Sequence, residues 1–365
     1  MNSKKNILIC PLDWGLGHAT RCIPLINYLL LFNVHVVIAA GGRSGKLLKE
    51  EFPHLTHIYF PGFNVRYARY SPFFVIKMAI ALPWMLWSIV KENRQLKKII
   101  EKHAIDAIIS DNRYGLWSKK IPCIFITHQL YVQLPIAVKW LQKPVDSLVK
   151  FLIKRFTECW VPDTEGFFNL SGNLSHKKQP DAKVFFIGPL SRFSHKTKEI
   201  HSGGNDIDVL AILSGPEPQR SIFEKIILKQ VAGTSLRTVI VQGITGEKTI
   251  KNLLPHVTLL SFQTTTELEI LIQRSQLIIA RAGYSTLMDL AVFKKQAILV
   301  PTPGQTEQKY LARYHKERIF FYSVSQSKFS LTEAQHHLPE YHGIALSPDE
   351  TLLLRQIASL IEKIS

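Results

Sequence analysis

At 365 residues and 46% hydrophobic content, the chain is too long for one ordinary α/β domain and can supply two sizeable cores. Its formal net charge is +17 and is unevenly spread: residues 1–190 hold 25 Lys+Arg and 12 Asp+Glu (+13), and the rest hold 20 and 16 (+4). A basic first half suits an anionic lipid surface or a phosphate-bearing partner, and the lack of a zinc-finger spacing, RRM signature or basic–aromatic pattern disfavours nucleic acid.

The four cysteines, Cys10, Cys22, Cys123 and Cys159, show no CxxC or Cys/His ligand spacing. They read as reduced thiols of a cytosolic protein. Asn6–Leu12 is too short an apolar run for a signal peptide, with Asp13 directly after it, and it reads as the first strand. Asp13–His18 is then a turn and Ala19–Leu31 a helix. Gly15 and Gly17 let the backbone approach a ligand, and His18 sits at the helix start, where it either caps the turn or faces a substrate. A dinucleotide fingerprint fails, because Thr20 stands where its third glycine belongs.

Val34–Ala39 is the second strand. Gly41–Lys46 imitates a P-loop but is a residue short between its glycines, and Leu47 replaces the magnesium-binding Ser or Thr, so it reads as an ordinary turn. Phe73–Val90 is the most apolar stretch, interrupted by Lys77 and Pro83 and followed by Lys91, Arg94, Lys97 and Lys98. It fits either a helix lying in a membrane surface, with Trp84 and Trp87 at the interface, or a helix buried in the fold. Strands Ile105–Ser110 and Ile121–Ile126 end at Asp111 and at Thr127-His128. Open parallel sheets place their sites just past such strand ends, so Asp111 and His128 join His18 as candidates. An Asp there can orient a histidine or hold a sugar hydroxyl.

Val184–Pro189 closes the first domain, 1–190, and the polar 191–205 reads as a linker. The second domain, 206–345, opens with strand Val209–Leu213, the turn Ser214–Arg220 and helix Ser221–Gln230. Thr238–Val241 and Val257–Ser261 are further strands, and Leu268–Arg274 is a short helix. Gln276–Ala280 is a strand buried on both faces. After Arg281-Ala282-Gly283, Ser285 and Thr286 are expected to cap a helix whose inward stripe is Leu287, Leu290 and Ala291. Ala297–Val300 is the next strand, and Thr306 opens another helix. Two such helix starts side by side offer amide N–H groups that suit a diphosphate. Residues 346–365 carry a final helix, Thr351–Ile364. His336-His337 lacks a metal-ligand spacing, and neither a metal site nor a cofactor is expected.

Arg281-Ala-Gly-Tyr-Ser-Thr286, Asp289 and Pro301 through Glu307-Gln308 resemble the C-terminal domain of family 28 glycosyltransferases, over about forty residues. The resemblance implies an α/β architecture of two Rossmann-like domains facing a cleft (the GT-B fold), the last helix crossing back to the first domain. It implies inverting transfer of a sugar from a nucleotide diphosphate, expected to be UDP-linked, to a lipid or lipid-linked cell-envelope acceptor at the inner membrane face. By it, His18, on a glycine-rich loop with Gly15 and Gly17, is the general base at the acceptor. The donor side comprises Ser214, Gly215, Arg220 (a phosphate partner), Phe262 (framing the base), Arg281, Gly283, Ser285, Thr286, Asp289 (ribose), and Glu307 and Gln308 (sugar). Two departures stand out: Pro216 and Pro218 remove amides from the donor loop, and Asp289 replaces the family's Glu. A UDP-sugar epimerase of the same fold, or a non-catalytic nucleotide-sugar or lipid-binding protein, is the alternative.

Overall fold

Short apolar runs between helices are what a parallel sheet buried on both faces requires, and both halves of the chain follow this rule. The computed structural model describes residues 4–13, 15–62, 74–179, 181–193, 206–244, 247–344, 346 and 350–365, with side chains in the helix at 74–102 described from Pro83 onward. The chain divides into two compact units, Met1–Leu190 with Pro348–Ser365, and Ser191–Ser347.

The first unit runs β1 (Asn6–Pro11), α1 (Leu16–Leu31), β2 (His35–Ala40), α2 (Gly42–Glu51), β3 (Thr56–Tyr59), α3 (Phe74–Lys102), β4 (Ala107–Asp111), β5 (Cys123–Ile126), α4 (Gln142–Ile153), β6 (Glu158–Val161) and β7 (Val184–Phe186). Its sheet has the order β3-β2-β1-β4-β5-β6-β7, with every pair parallel. The order reverses between β1 and β4, so the turns after these two strands lead to opposite faces and open a crevice at their carboxyl ends. A core of Leu8, Cys10, Val37, Leu96, Ile108 and Phe125 packs one face.

The second unit repeats the plan. It contains β8 (Ile207–Ile212), α5 (Gln219–Val231), β9 (Thr238–Val241), β10 (Ile250–Leu254), β11 (Val257–Leu260), α6 (Thr265–Arg274), β12 (Ser275–Ala280), α7 (Tyr284–Phe293), β13 (Ala297–Leu299), α8 (Thr306–Glu317), β14 (Tyr322–Ser323) and α9 (Leu331–His337). The sheet order is β10-β11-β9-β8-β12-β13-β14, parallel except for the β10–β11 edge. Here the reversal falls between β8 and β12. The last helix, α10 (Glu350–Ile364), belongs to the first unit; it buries Leu353, Ile357 and Leu360, and Lys363 pairs with Glu158.

Phe73 of the apolar stretch lies outside the described residues. From Trp84 onward α3 is two-sided: Trp84 and Trp87 are 60% and 56% exposed, while Ile89, Glu92 and Leu96 are buried. Glu92 meets the buried Arg113 guanidinium at 3.0 Å, anchoring α3 to the segment after β4. Among the described residues no helix is long and apolar enough to cross a membrane.

Candidate active site

β1 and β4 are neighbours in register, with Pro11 paired to Asp111. The Asp111 carboxylate therefore emerges beside the start of the turn that follows β1. That turn passes through Gly15 at φ 153, the N-cap of α1, so His18 is the third residue of the helix. Its Nδ1 lies 3.2 Å from Asp111 Oδ1. One helical turn on, Arg21 projects from the same face, as an i,i+3 neighbour must. The Arg21 Nε donates to Asp111 Oδ2 at 2.6 Å, and its NH2 donates to Oδ1. Its NH1 lies 2.9 Å from Nδ1 of His128, which stands two residues past the end of β5.

The structure thus brings His18, Asp111 and His128 together, and adds an arginine that sequence reasoning passed over. Asp111 and Arg21 are almost wholly buried, whereas the His18 side chain is 18% exposed. Burial pushes the Asp111 carboxyl up, but the Arg21 guanidinium and His18 outweigh it and hold the group at about 2. His18 Nε2 has no protein partner among the described residues. A base oriented through Nδ1 by a carboxylate, with Nε2 open, can take a proton from a hydroxyl.

A second Asp–His cluster, after β6, is closed on itself. Asp163 accepts from the backbone N–H of Thr164, Leu170 and Ser171. His176 meets Ser175 Oγ at 2.9 Å through Nδ1 and Thr164 O at 2.9 Å through Nε2. Both ring nitrogens are spent on the chain, so this cluster braces a loop.

In the second unit the turns after β8 and β12 flank the reversal point. Gly215, at φ 100, holds a left-handed conformation that a side chain would strain. One expectation is corrected: Ser285 and Thr286 do not cap α7. The cap position is Gly283, without a side-chain hydrogen bond, because the buried Tyr284 is already the first helical residue. Ser285 and Thr286 lie inside the first turn. Helices α5 and α8 also start without a side-chain cap, in contrast to α6, where Thr264 and Glu267 form a reciprocal capping box. Because β12 and β13 are adjacent and parallel, α7 and α8 start from the same sheet edge.

The charged candidates of this unit are engaged internally. Arg220 Nε donates to Glu217 at 2.7 Å and NH1 to Glu224 at 2.9 Å. Arg281 is buried, lies over the Phe223 ring at 4.3 Å, and donates to Gln219 O and Gln326 Oε1 at 2.8 and 2.7 Å. Asp289 accepts from Ser191 Oγ at 2.7 Å, with Arg192 Nε at 3.6 Å. Gln308 accepts from the Thr302 amide at 2.8 Å, fixing the loop before α8, and Glu307 lies in that helix's first turn. Phe262 is buried.

Residues 219–338 match the family model of the glycosyltransferase family 28 C-terminal domain. Two uncharacterised glycosyltransferases of Methanosarcina acetivorans are similar along most of the chain. One is 24% identical over 81% of this chain and 77% of its own, the other 22% identical over 88% and 85%. The protein is a glycosyltransferase, and its residues 219–338 are similar to the family 28 C-terminal domain. Solved structures place the enzyme in the GT-B fold. The glycosyltransferase of kitacinnamycin superposes with a TM-score of 0.62 at 14% identity, covering 99% of this chain and 95% of its own. SnogD from Streptomyces nogalater gives 0.60 at 13%, covering 99% and 95%, and MurG of Acinetobacter baumannii 0.57 at 13%, covering 98% and 100%.

Proposed function

We propose that the enzyme transfers a sugar from a UDP-linked donor to the hydroxyl of a lipid or lipid-linked acceptor, inverting the anomeric centre. The observation that carries this reading is the His18–Asp111 pair, a partly exposed imidazole oriented by a buried carboxylate at the reversal point of the first sheet. In this mechanism His18 Nε2 takes the proton of the acceptor hydroxyl as its oxygen attacks the anomeric carbon. The bond from that carbon to the diphosphate breaks, and the nucleoside diphosphate leaves with the electron pair. Asp111 stabilises the imidazolium formed. The amide-rich starts of α7 and α8 and the Ser214-Gly215 turn hold the diphosphate by fixed dipoles. Asp289, assigned to the ribose, accepts from Ser191 Oγ and lies 3.6 Å from Arg192 Nε, contacts that a bound ribose would share or displace.

The lipid side of the reading is supported by α3. Trp84 and Trp87 pack edge to face on its exposed flank, and Lys91 Nζ lies 5.1 Å from the Trp87 ring. Indole rings beside a lysine suit the boundary of an anionic bilayer, and the basic excess of the first half acts in the same sense.

The test incubates the full chain with UDP-glucose, UDP-galactose or UDP-N-acetylglucosamine and phosphatidylglycerol vesicles carrying diacylglycerol, and follows UDP release and sugar incorporation into lipid. Acceptor-dependent UDP release that His18→Ala abolishes is the expected result. Release that is indifferent to His18→Ala sinks the assignment of the base, and release without incorporation into lipid sinks the assignment of the acceptor.

A further inference from the structure

We propose that Arg21 is a positioning residue that sets the proton position of His128, holding its Nδ1 as an acceptor and its proton on Nε2. The proposal rests on the reading of His18 as the base. It concerns a residue that no sequence motif points to, one that touches every other member of the cluster.

A guanidinium has only N–H donors, and no group in a protein removes its proton. Arg21 NH1 lies 2.9 Å from His128 Nδ1, so that nitrogen must accept. His128 is thereby held as the neutral ring with its proton on Nε2, where the Gln129 side-chain amide stands 3.3 Å away. An imidazolium at His128 would set an N–H against an N–H, which the buried contact does not tolerate.

Around His18 Nδ1 two groups compete. Asp111 Oδ1 at 3.2 Å favours a proton on this atom, and Arg21 NH2 at 2.9 Å favours a lone pair. The neutral ring with Nδ1–H toward Asp111 leaves the Nε2 lone pair outward. A doubly protonated ring satisfies Asp111 but faces the guanidinium charge. Nδ1 of His18 can serve only one of the two at a time. Among the described residues, the charged or titratable groups facing this pair are Arg21 and Cys22 of α1, Asp111 of β4 and His128 after β5.

The test reads the rings directly, without substrate. The full chain, labelled with 15N-histidine, is followed by long-range 1H–15N correlation from about pH 6 to about pH 8, the range in which imidazole titrates. His18→Gln and His128→Gln assign the signals. In the wild type, His128 is expected as the neutral ring protonated on Nε2. In Arg21→Met that preference is lost. Arg21→Lys keeps the charge without the fork, so it loses the His128 tautomer.

A His128 protonated on Nδ1 in the wild type overturns the proposal, and so does an unchanged His128 signal in Arg21→Met. If that variant does not fold, an unaltered His128 tautomer in Arg21→Lys overturns it. Activity of His18→Gln is scored separately: full sugar transfer there removes the base reading, while the tautomers still decide what Arg21 does.

Discussion

The two units share one sheet plan, with a reversal between β1 and β4 in the first and between β8 and β12 in the second, yet they equip that point differently. The first fills it with side chains already in mutual contact: an imidazole, a carboxylate, a guanidinium and a second imidazole. The second leaves it to backbone turns, while Arg220, Arg281 and Asp289 are bound to neighbours within the unit. A proton transfer needs one group with its proton fixed in advance, which only interlocked side chains provide. A diphosphate needs several donors at once, which the uncapped starts of helices supply without any side chain. On the proposed function, the same topology thus serves side-chain chemistry in one unit and dipolar binding in the other.

The largest expected effect lies in the first unit. His18→Ala and Asp111→Asn should each lower kcat by about 100- to 10,000-fold, the range set by loss of a general base or of its orientation. On the proposed function the donor Kd should change little, because the diphosphate is assigned to the turns of the second unit. Single-turnover kinetics with isothermal titration of the UDP-sugar separates the two quantities. A donor Kd that worsens in step with kcat would erase the contrast between the units.

An acid titration sharpens the same contrast through stability. Asp111 is held at about 2 in the folded chain, below the roughly 3.9 of an unfolded Asp. Its contribution, on the order of 2 kcal/mol, is fully present above about pH 4 and is lost as the pH falls through about 2. Urea unfolding of the wild type should therefore lose stability more steeply over that window than unfolding of Asp111→Asn. Parallel slopes for the two proteins would mean that Asp111 is not the anchored charge of the cluster.

What could be read in advance follows from how far each signal reaches along the chain. Strands such as β4 and β12 were placed within a residue or two, because burial on both faces leaves a continuous apolar run between polar turns. The strand β10 was missed: all five of its residues are exposed, and as an antiparallel edge it carries no such run. Helix α6 starts earlier than its apolar stripe implies, although Thr264 and Glu267 spell a capping box that could have marked it. His18 and Asp111 could be nominated singly, each from its place beside a strand end. Arg21 could not, since an arginine on a helix reads as a solvated charge until a carboxylate 90 positions away is brought against it. Its i,i+3 spacing from His18 was the only local hint.

In the second unit the backbone itself is the part to perturb. Gly215→Ala forces a side chain into a left-handed turn at φ 100 and should cost roughly 1–2 kcal/mol. If the Ser214-Gly215 turn contacts the diphosphate, donor Kd should rise by about tenfold while the His18 chemistry stays intact. Unchanged donor Kd in a stable Gly215→Ala protein would remove this turn from the site.

The smallest effect tests whether Asp289 serves the donor or only the start of the second unit. Its carboxylate accepts from Ser191 Oγ at 2.7 Å, a bond worth about 1–3 kcal/mol to a charged acceptor. Burial raises the Asp289 carboxyl, and Arg192 and the Ser191 hydrogen bond oppose that rise, so the group is constrained but not strongly anchored. Ser191→Ala frees the carboxylate without deleting it, whereas Asp289→Ala deletes it. If Asp289 binds ribose by exchanging partners, Ser191→Ala should leave KM for the UDP-sugar unchanged or slightly lower, and Asp289→Ala should raise it several-fold. If it is only a tie, both variants should lower Tm by a similar few degrees and leave KM alone. KM left unchanged in both variants would therefore remove Asp289 from donor recognition and sharpen the division of labour.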